Sequence, residues 1–152
     1  MTFPRIFGIA LFLFAVTATG AAAQPDSALD DAVRSYDPAA ALSTDPALVH
    51  IEDFNGDGSA DVAAVLESDG KSALVIFHRT ASGYRPFSLY ASLPPGPLRL
   101  RVVLPGRHRV LGLQGTVDVS SPSLELVFPG RSSAMYVWGS NRYQVLPTEN
   151  YR

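Results

Sequence analysis

Asp53-Phe54-Asn55-Gly56-Asp57-Gly58-Ser59-Ala60-Asp61 is the stretch on which the reading of this chain turns. Oxygen-bearing side chains stand at its first, third and fifth positions, glycine at its sixth and aspartate at its ninth. Ca²⁺ takes about 6–8 oxygen ligands and tolerates irregular geometry. At this spacing Asp53, Asn55, Asp57 and Asp61 each offer a side-chain oxygen, and Ser59 a backbone carbonyl. Gly58 permits the sharp reversal between ligands, because it enters the left-handed region without a Cβ clash. Two readings stay open. Asn-Gly and Asp-Gly pairs make hairpin turns that need no metal. Three aspartates crowded into one loop favour a cation, since without one their repulsion has no offset.

Residues on either side separate this loop from an EF-hand, which closes on a bidentate Glu at its twelfth position and lies between helices. The twelfth position here is Ala64. Leu48-Val49-His50-Ile51 before the loop and Val62-Ala63-Ala64-Val65-Leu66 after it are rich in apolar and β-branched residues and read as strands. The run Asp53 to Val65, followed by Ala73-Leu74-Val75-Ile76-Phe77, resembles an FG-GAP (VCBS) repeat, the calcium-bearing blade of integrin alpha-chain propellers and of many bacterial secreted proteins. The resemblance covers roughly residues 48 to 80. It implies calcium ligands at Asp53, Asn55, Asp57, Ser59 (carbonyl) and Asp61. Propellers need about 4–8 blades, and one recognisable repeat does not predict a full propeller. The resemblance carries no activity.

The N-terminus has the pattern of an export signal. Arg5 is the positive region, Ile6 to Val16 the apolar core and Ala21-Ala22-Ala23 a small-residue cleavage site. The apolar core falls short of the ~20 residues a membrane helix needs, so no membrane span is expected in a mature chain starting at Gln24. The expected location is periplasmic or extracellular. There is no cysteine, which excludes both disulfides and a lipid-bearing cysteine. A small domain in an oxidising compartment then needs another source of stability, and a structural metal is one. Removing residues 1–23 deletes one positive charge and no acid, taking the formal charge from -2 to -3. That balance gives no case for nucleic acid.

The pattern predicts a mainly β chain with two small antiparallel sheets, each a four-stranded unit like a propeller blade, and a short N-terminal helix. The expected organisation is a signal at 1–23, a helix and connector at 24–46, a calcium-loop β-unit at 47–93, and a second β-unit of the same globular domain at 98–147. Asp26 caps the helix, Leu29, Ala32, Val33 and Tyr36 share one face, and Asp37-Pro38 ends it. Strands follow at 49–52, Val62 to Leu66, Ala73 to His78 and Phe87 to Leu93, with Asp69-Gly70 as a hairpin turn. After the stiff Pro94-Pro95-Gly96-Pro97 come Leu98 to Leu104, Arg109 to Gln114, Leu124 to Phe128, Met135 to Trp138 and Arg142 to Leu146.

The remaining constellations are weaker. His50, His78 and His108 lack metal-ligand spacing, and the alternation predicts solvated imidazoles at His50 and His78. Arg99, Arg101, Arg107 and Arg109 read as a solvated sheet face, with an anion-binding strip as the other reading. Tyr136, Trp138 and Tyr143 gather around the last hairpin, either as packing or as an exposed platform for a glycan or peptide. No nucleophile elbow, P-loop or dinucleotide fingerprint is present. The expectation is therefore a non-enzymatic exported β-module with a structural calcium loop, meeting a protein or glycan partner of the cell envelope or exterior. The alternative is a secreted hydrolase-type enzyme on a β scaffold.

Overall fold

The computed structural model describes residues 26–112 and 116–148. The export signal and its cleavage site, with Gln24, lie outside the described residues, as does Gln114. The first element is helix α1, Ser27–Tyr36. The Asp26 carboxylate accepts the Ala28 N–H at 3.2 Å at its start, and the chain turns extended at Asp37. Leu29, Ala32, Val33 and Tyr36 form its packed face, as the spacing predicts.

The first sheet holds β1 (Ala41–Leu42), β2 (Val49–Glu52), β3 (Asp61–Ser68), β4 (Lys71–Thr80) and β5 (Gly83–Tyr90). The strands β2-β3-β4-β5 make an antiparallel meander. Strand β1 lies on the same edge of β3 as β2, further along, pairing Ala41 with Glu67 and Leu42 with Leu66. The second sheet orders β6 (Arg99–Val103), β9 (Ser123–Phe128), β10 (Ser132–Gly139) and β11 (Arg142–Thr148). Between β6 and β9 a separate hairpin is inserted, β7 (Gly106–Arg109) with β8 (Thr116–Val119). The fold is thus mainly β, with antiparallel sheets and one helix near the start of the described chain.

Among its described residues, 109–112, the strand expected over Arg109 to Gln114 is not formed. Arg109 ends β7, Val110 leaves the ladder to bury its side chain, and Gly112 adopts a left-handed φ of 79°. Val110 fills a core from outside the ladder, while Leu111 is exposed. Leu93 lies beyond β5, and its N–H donates to the Ser72 carbonyl at 2.7 Å.

Four thin layers stack, because each sheet has two apolar faces. On the first sheet, Val62, Ala64, Leu66, Val75 and Phe77 face α1. The alternate residues Ala63, Val65, Leu74 and Ile76 meet Leu100, Leu124, Leu126 and Tyr136 of the second sheet. The far side of the second sheet, through Met135, Val137 and Leu146, is covered by Val110, Val117 and Val119 of the hairpin region. Strand β9 is buried along its whole length for this reason.

Candidate metal loop and adjoining cleft

The loop at 53–60 joins β2 to β3 at one end of the seam between the sheets. Phe54 anchors it. Its ring is fully buried in the inter-sheet core. Its carbonyl accepts the Ser121 hydroxyl at 3.1 Å, and its N–H donates to Asp61 Oδ2 at 3.1 Å. The second sheet's approach segment therefore holds the first sheet's loop.

Around this anchor the acidic side chains satisfy the loop's own amides. Asp53 Oδ1 accepts from the Gly56 and Asp57 N–H groups, at 2.8 and 3.0 Å, and Oδ2 from Gly58 N–H at 2.8 Å. Asn55 Oδ1 accepts from Asp57 N–H, and its amide donates to Asp57 Oδ2, both at 2.9 Å. Asp57 Oδ1 accepts from Ser59 N–H at 2.8 Å. Gly56 and Gly58 both have positive φ, 75° and 88°, which lets successive amides turn inward. The Asn55 amide and the Ser59 N–H hold the Asp57 carboxyl below its ordinary range.

Asp61 differs from the others because it is fully buried. It shares the interior face of β3 with Ala63 and Val65. Its Oδ1 accepts the Arg79 N–H at 2.8 Å. Burial pushes its pKa up to about 6, against the pull of these amides. The neighbouring side chain is His78, with Nε2 3.9 Å from Asp61 Oδ2. Burial pushes that imidazole down to about 4, so it is neutral at pH 7 and the pair is not an ion pair. His78 Nε2 shares a 2.6 Å hydrogen bond with the Tyr143 hydroxyl, whose pKa burial raises.

Two expectations about histidine are corrected. His78 is 4% exposed rather than solvated. Strand β4 is apolar on both faces, so its alternation could not say which face meets solvent. His78 continues the Leu74–Ile76 row into the seam. His50 pairs with Ala63 and so points the same way, and its Nε2 is enclosed with no hydrogen-bond partner. The basic strip is exposed, as expected, and two of its members are paired: Arg101 with Glu125 at 2.5 Å and Arg107 with Asp118 at 3.2 Å.

The donor set suits a hard cation, since it consists of carboxylate and amide oxygens on one short, anchored loop. An ionised carboxylate has about four acceptor sites. Asp53 uses three for the bonds above, and Asp57 and Asp61 two each, which leaves capacity for a metal. Among the described residues no group of three or more His, Cys, Asp or Glu side chains closes around a common point. The carboxylates are turned toward the loop amides instead.

Beside the loop the seam opens into a cleft of about 440 Å³. Asn55 and Asp57 form one wall, His78, Arg85 and Phe87 of the first sheet another, and Trp138 and Asn141 of the last hairpin a third. Trp138 and Tyr143 are directly opposed across β10 and β11. Their rings, with Phe87 and His78, form a continuous cluster with centroids 4.4–6.0 Å apart. Tyr136 lies deeper on the same face, in the core. A separate hollow of about 490 Å³, between the end of α1 and the β3–β4 turn, shares no residue with this cleft. No described helix is long and apolar enough to cross a membrane. No known protein family, curated protein or solved structure matches the chain.

Proposed function

We propose that the chain is an exported β-module whose Asp53–Asp61 loop takes a structural Ca²⁺ and whose work is binding, not catalysis. The observation that carries the first part is Asp61. A fully buried carboxylate sits below an acidic loop, and the imidazole 3.9 Å from it, His78, is neutral and supplies no positive charge. Buried charges are normally paired or bound to metal. Asp53, Asn55, Asp57 and Asp61 would supply side-chain oxygens and Ser59 its carbonyl. A cation there would supply the missing positive charge. An FG-GAP-like identity for the first unit is supported by its four-stranded meander, with the acidic loop between its first two strands.

Binding is favoured over hydrolysis by the cleft's chemistry. A catalytic tyrosine or histidine needs a pKa near its operating pH. Burial moves the Tyr143 hydroxyl away from ionisation, and its hydrogen bond occupies the His78 Nε2. The N-terminal signal pattern supports export to the periplasm or exterior, and the partner is then an envelope or extracellular molecule.

Thermal melting of the purified protein tests the metal. Affinity in the range of extracellular modules, on the order of 10⁻⁴–10⁻³ M, is expected. A hundredfold excess of Ca²⁺ over Kd would stabilise the fold by ~2.7 kcal/mol. EDTA should lower Tm, Ca²⁺ restore it, and Mg²⁺ restore it poorly. Asp57→Ala should abolish the response. If calorimetry detects no Ca²⁺ binding and Asp57→Ala melts like wild type in calcium, the loop is only a turn.

A further inference from the structure

We propose that the cleft between the two sheets binds an acidic saccharide, with Arg85 taking the sugar carboxylate and the Phe87–Trp138 rings meeting the sugar's C–H face. This deepens the binding-module reading and rests on it. It does not require the loop to hold a cation.

Three distant stretches of chain build the site: the loop at Asn55 and Asp57, the β4–β5 hairpin at Arg85 and Phe87, and the last hairpin at Trp138 and Asn141. Its volume, about 440 Å³, is in the range of small-ligand sites. Phe87 and Trp138 meet edge to face, with centroids 5.0 Å apart and planes at 79°. This leaves an angular apolar wall on side chains that are only half-buried. Such a wall fits the puckered C–H face of a pyranose. The Trp138 indole N–H donates to none of the described residues, so it is available to a ligand oxygen.

Charge selects the ligand class. Two guanidinium groups line the cleft, from Arg79 and Arg85. Arg79 is held by Asp26 and by the Tyr84 hydroxyl. Arg85 lies over the Phe87 ring at 5.1 Å and has no carboxylate partner among the described residues. Its planar fork is suited to a carboxylate. Opposite stand Asp57, which accepts hydroxyl protons, and the amides of Asn55 and Asn141. A polyanion would meet one open cation and be repelled by Asp57. A wholly apolar ligand would strand four polar side chains without water. A hydroxyl-rich ring bearing a single carboxylate satisfies all three walls.

The chain contains one tryptophan, and it lies in the cleft, so its fluorescence reports occupancy. Digalacturonate would be titrated into the full-length protein in Ca²⁺ and, separately, in EDTA, with lactose as the neutral control and triglutamate as the peptide control. The expected result is a saturable change of Trp138 emission with digalacturonate in at least one buffer, about tenfold weaker for lactose. Arg85→Gln should weaken it about tenfold without moving Tm, because the side chain is exposed, while Arg85→Lys retains part of it. No emission change at millimolar digalacturonate in either buffer overturns the proposal, as does equal affinity in wild type and Arg85→Gln. Tighter binding of triglutamate overturns the saccharide assignment in favour of an acidic peptide. The calcium shift in Tm, recorded on the same sample, judges the loop separately. A protein that keeps that shift but binds no sugar disproves only the cleft.

Discussion

The two sheets are built alike and differ in what they insert. Each begins with an edge strand, interrupts the chain, and then completes a three-stranded meander. In the first sheet the interruption is the loop at 53–60, and in the second the segment at 104–122 carrying the β7–β8 hairpin. The first insertion sends one apolar side chain, Phe54, into the core and turns its carboxylates onto its own amides at the rim. The second folds back over its sheet, and Val110 and Val119 cover Met135. One topological position thus serves polar organisation in one sheet and apolar coverage in the other. The sequence difference is plain: four acidic or amide side chains between Asp53 and Asp61, against Arg107 and Arg109 followed by a run rich in valine and leucine up to Val119.

Truncating Phe54, the anchor of the first insertion, and Met135, the β10 side chain that the second insertion covers, sets the comparison at its sharpest. Phe54→Ala should cost about 3–5 kcal/mol and Met135→Ala about 2–5 kcal/mol, read from chemical denaturation. The calcium-dependent shift of Tm should vanish in Phe54→Ala and persist in Met135→Ala. Equal loss in both would mean that the loop takes its shape from the whole fold and not from its own plug.

A smaller effect is expected from acid. Without calcium, Asp61 is pushed up to about 6 from 3.8, so the folded state holds its proton more tightly, and this contribution to stability is lost as pH rises through 6. His78 is pushed down to about 4 from 6.5, so its contribution is gained as pH rises from 4 toward 6.5. The two slopes oppose each other between about pH 4 and 6. His78→Gln removes one of them. Relative to wild type in EDTA, the variant's stability should fall as pH climbs through that window, by on the order of 2 kcal/mol. Parallel pH profiles for the two proteins would contradict this account of the buried pair.

Gly58→Ala should cost about 1–2 kcal/mol, because its φ of 88° strains a Cβ although no neighbour lies within 4 Å of one. Melting at saturating calcium checks it. The smallest effect belongs to the second insertion's exposed pair. Arg107→Ala breaks the contact with Asp118 and should move stability by no more than about 0.5 kcal/mol. A larger loss would show that the hairpin is held by charge and not by its valines.

The sequence made the helix, its cap and the first meander readable, because Leu29, Ala32, Val33 and Tyr36 recur at helical spacing and Asp69-Gly70 marks a turn with two positive φ values. The acidic loop was equally plain as a spacing pattern. Other parts of the site were hidden for definable reasons. Strand β4 buries both faces, so period two could not place His78 in the seam. The partnership of Trp138 with Phe87 joins different sheets and leaves no local signature. Ser121 reads as an ordinary loop serine until the fold sets its hydroxyl against the Phe54 carbonyl. Val110 and Leu111 after Arg109 looked like the continuation of a strand, because composition does not separate a valine buried from a loop from one buried in a ladder.

The outer strands bear on how the protein behaves when crowded. An open sheet edge invites strand addition from a neighbour and, with it, aggregation. The outer edges of the two larger sheets are interrupted. Strand β5 carries Pro86 and β11 carries Pro147, and neither residue has an N–H to offer an incoming strand. The Pro147 carbonyl already accepts the Leu111 N–H at 2.8 Å. Strand β6 lines its edge with Arg99 and Arg101, and the edge shared by β1 and β2 is broken by the 3-10 turn at Pro46–Leu48. In a mainly β chain without disulfides, strand addition at the outer edges of the two larger sheets is thus opposed by residues of those strands themselves.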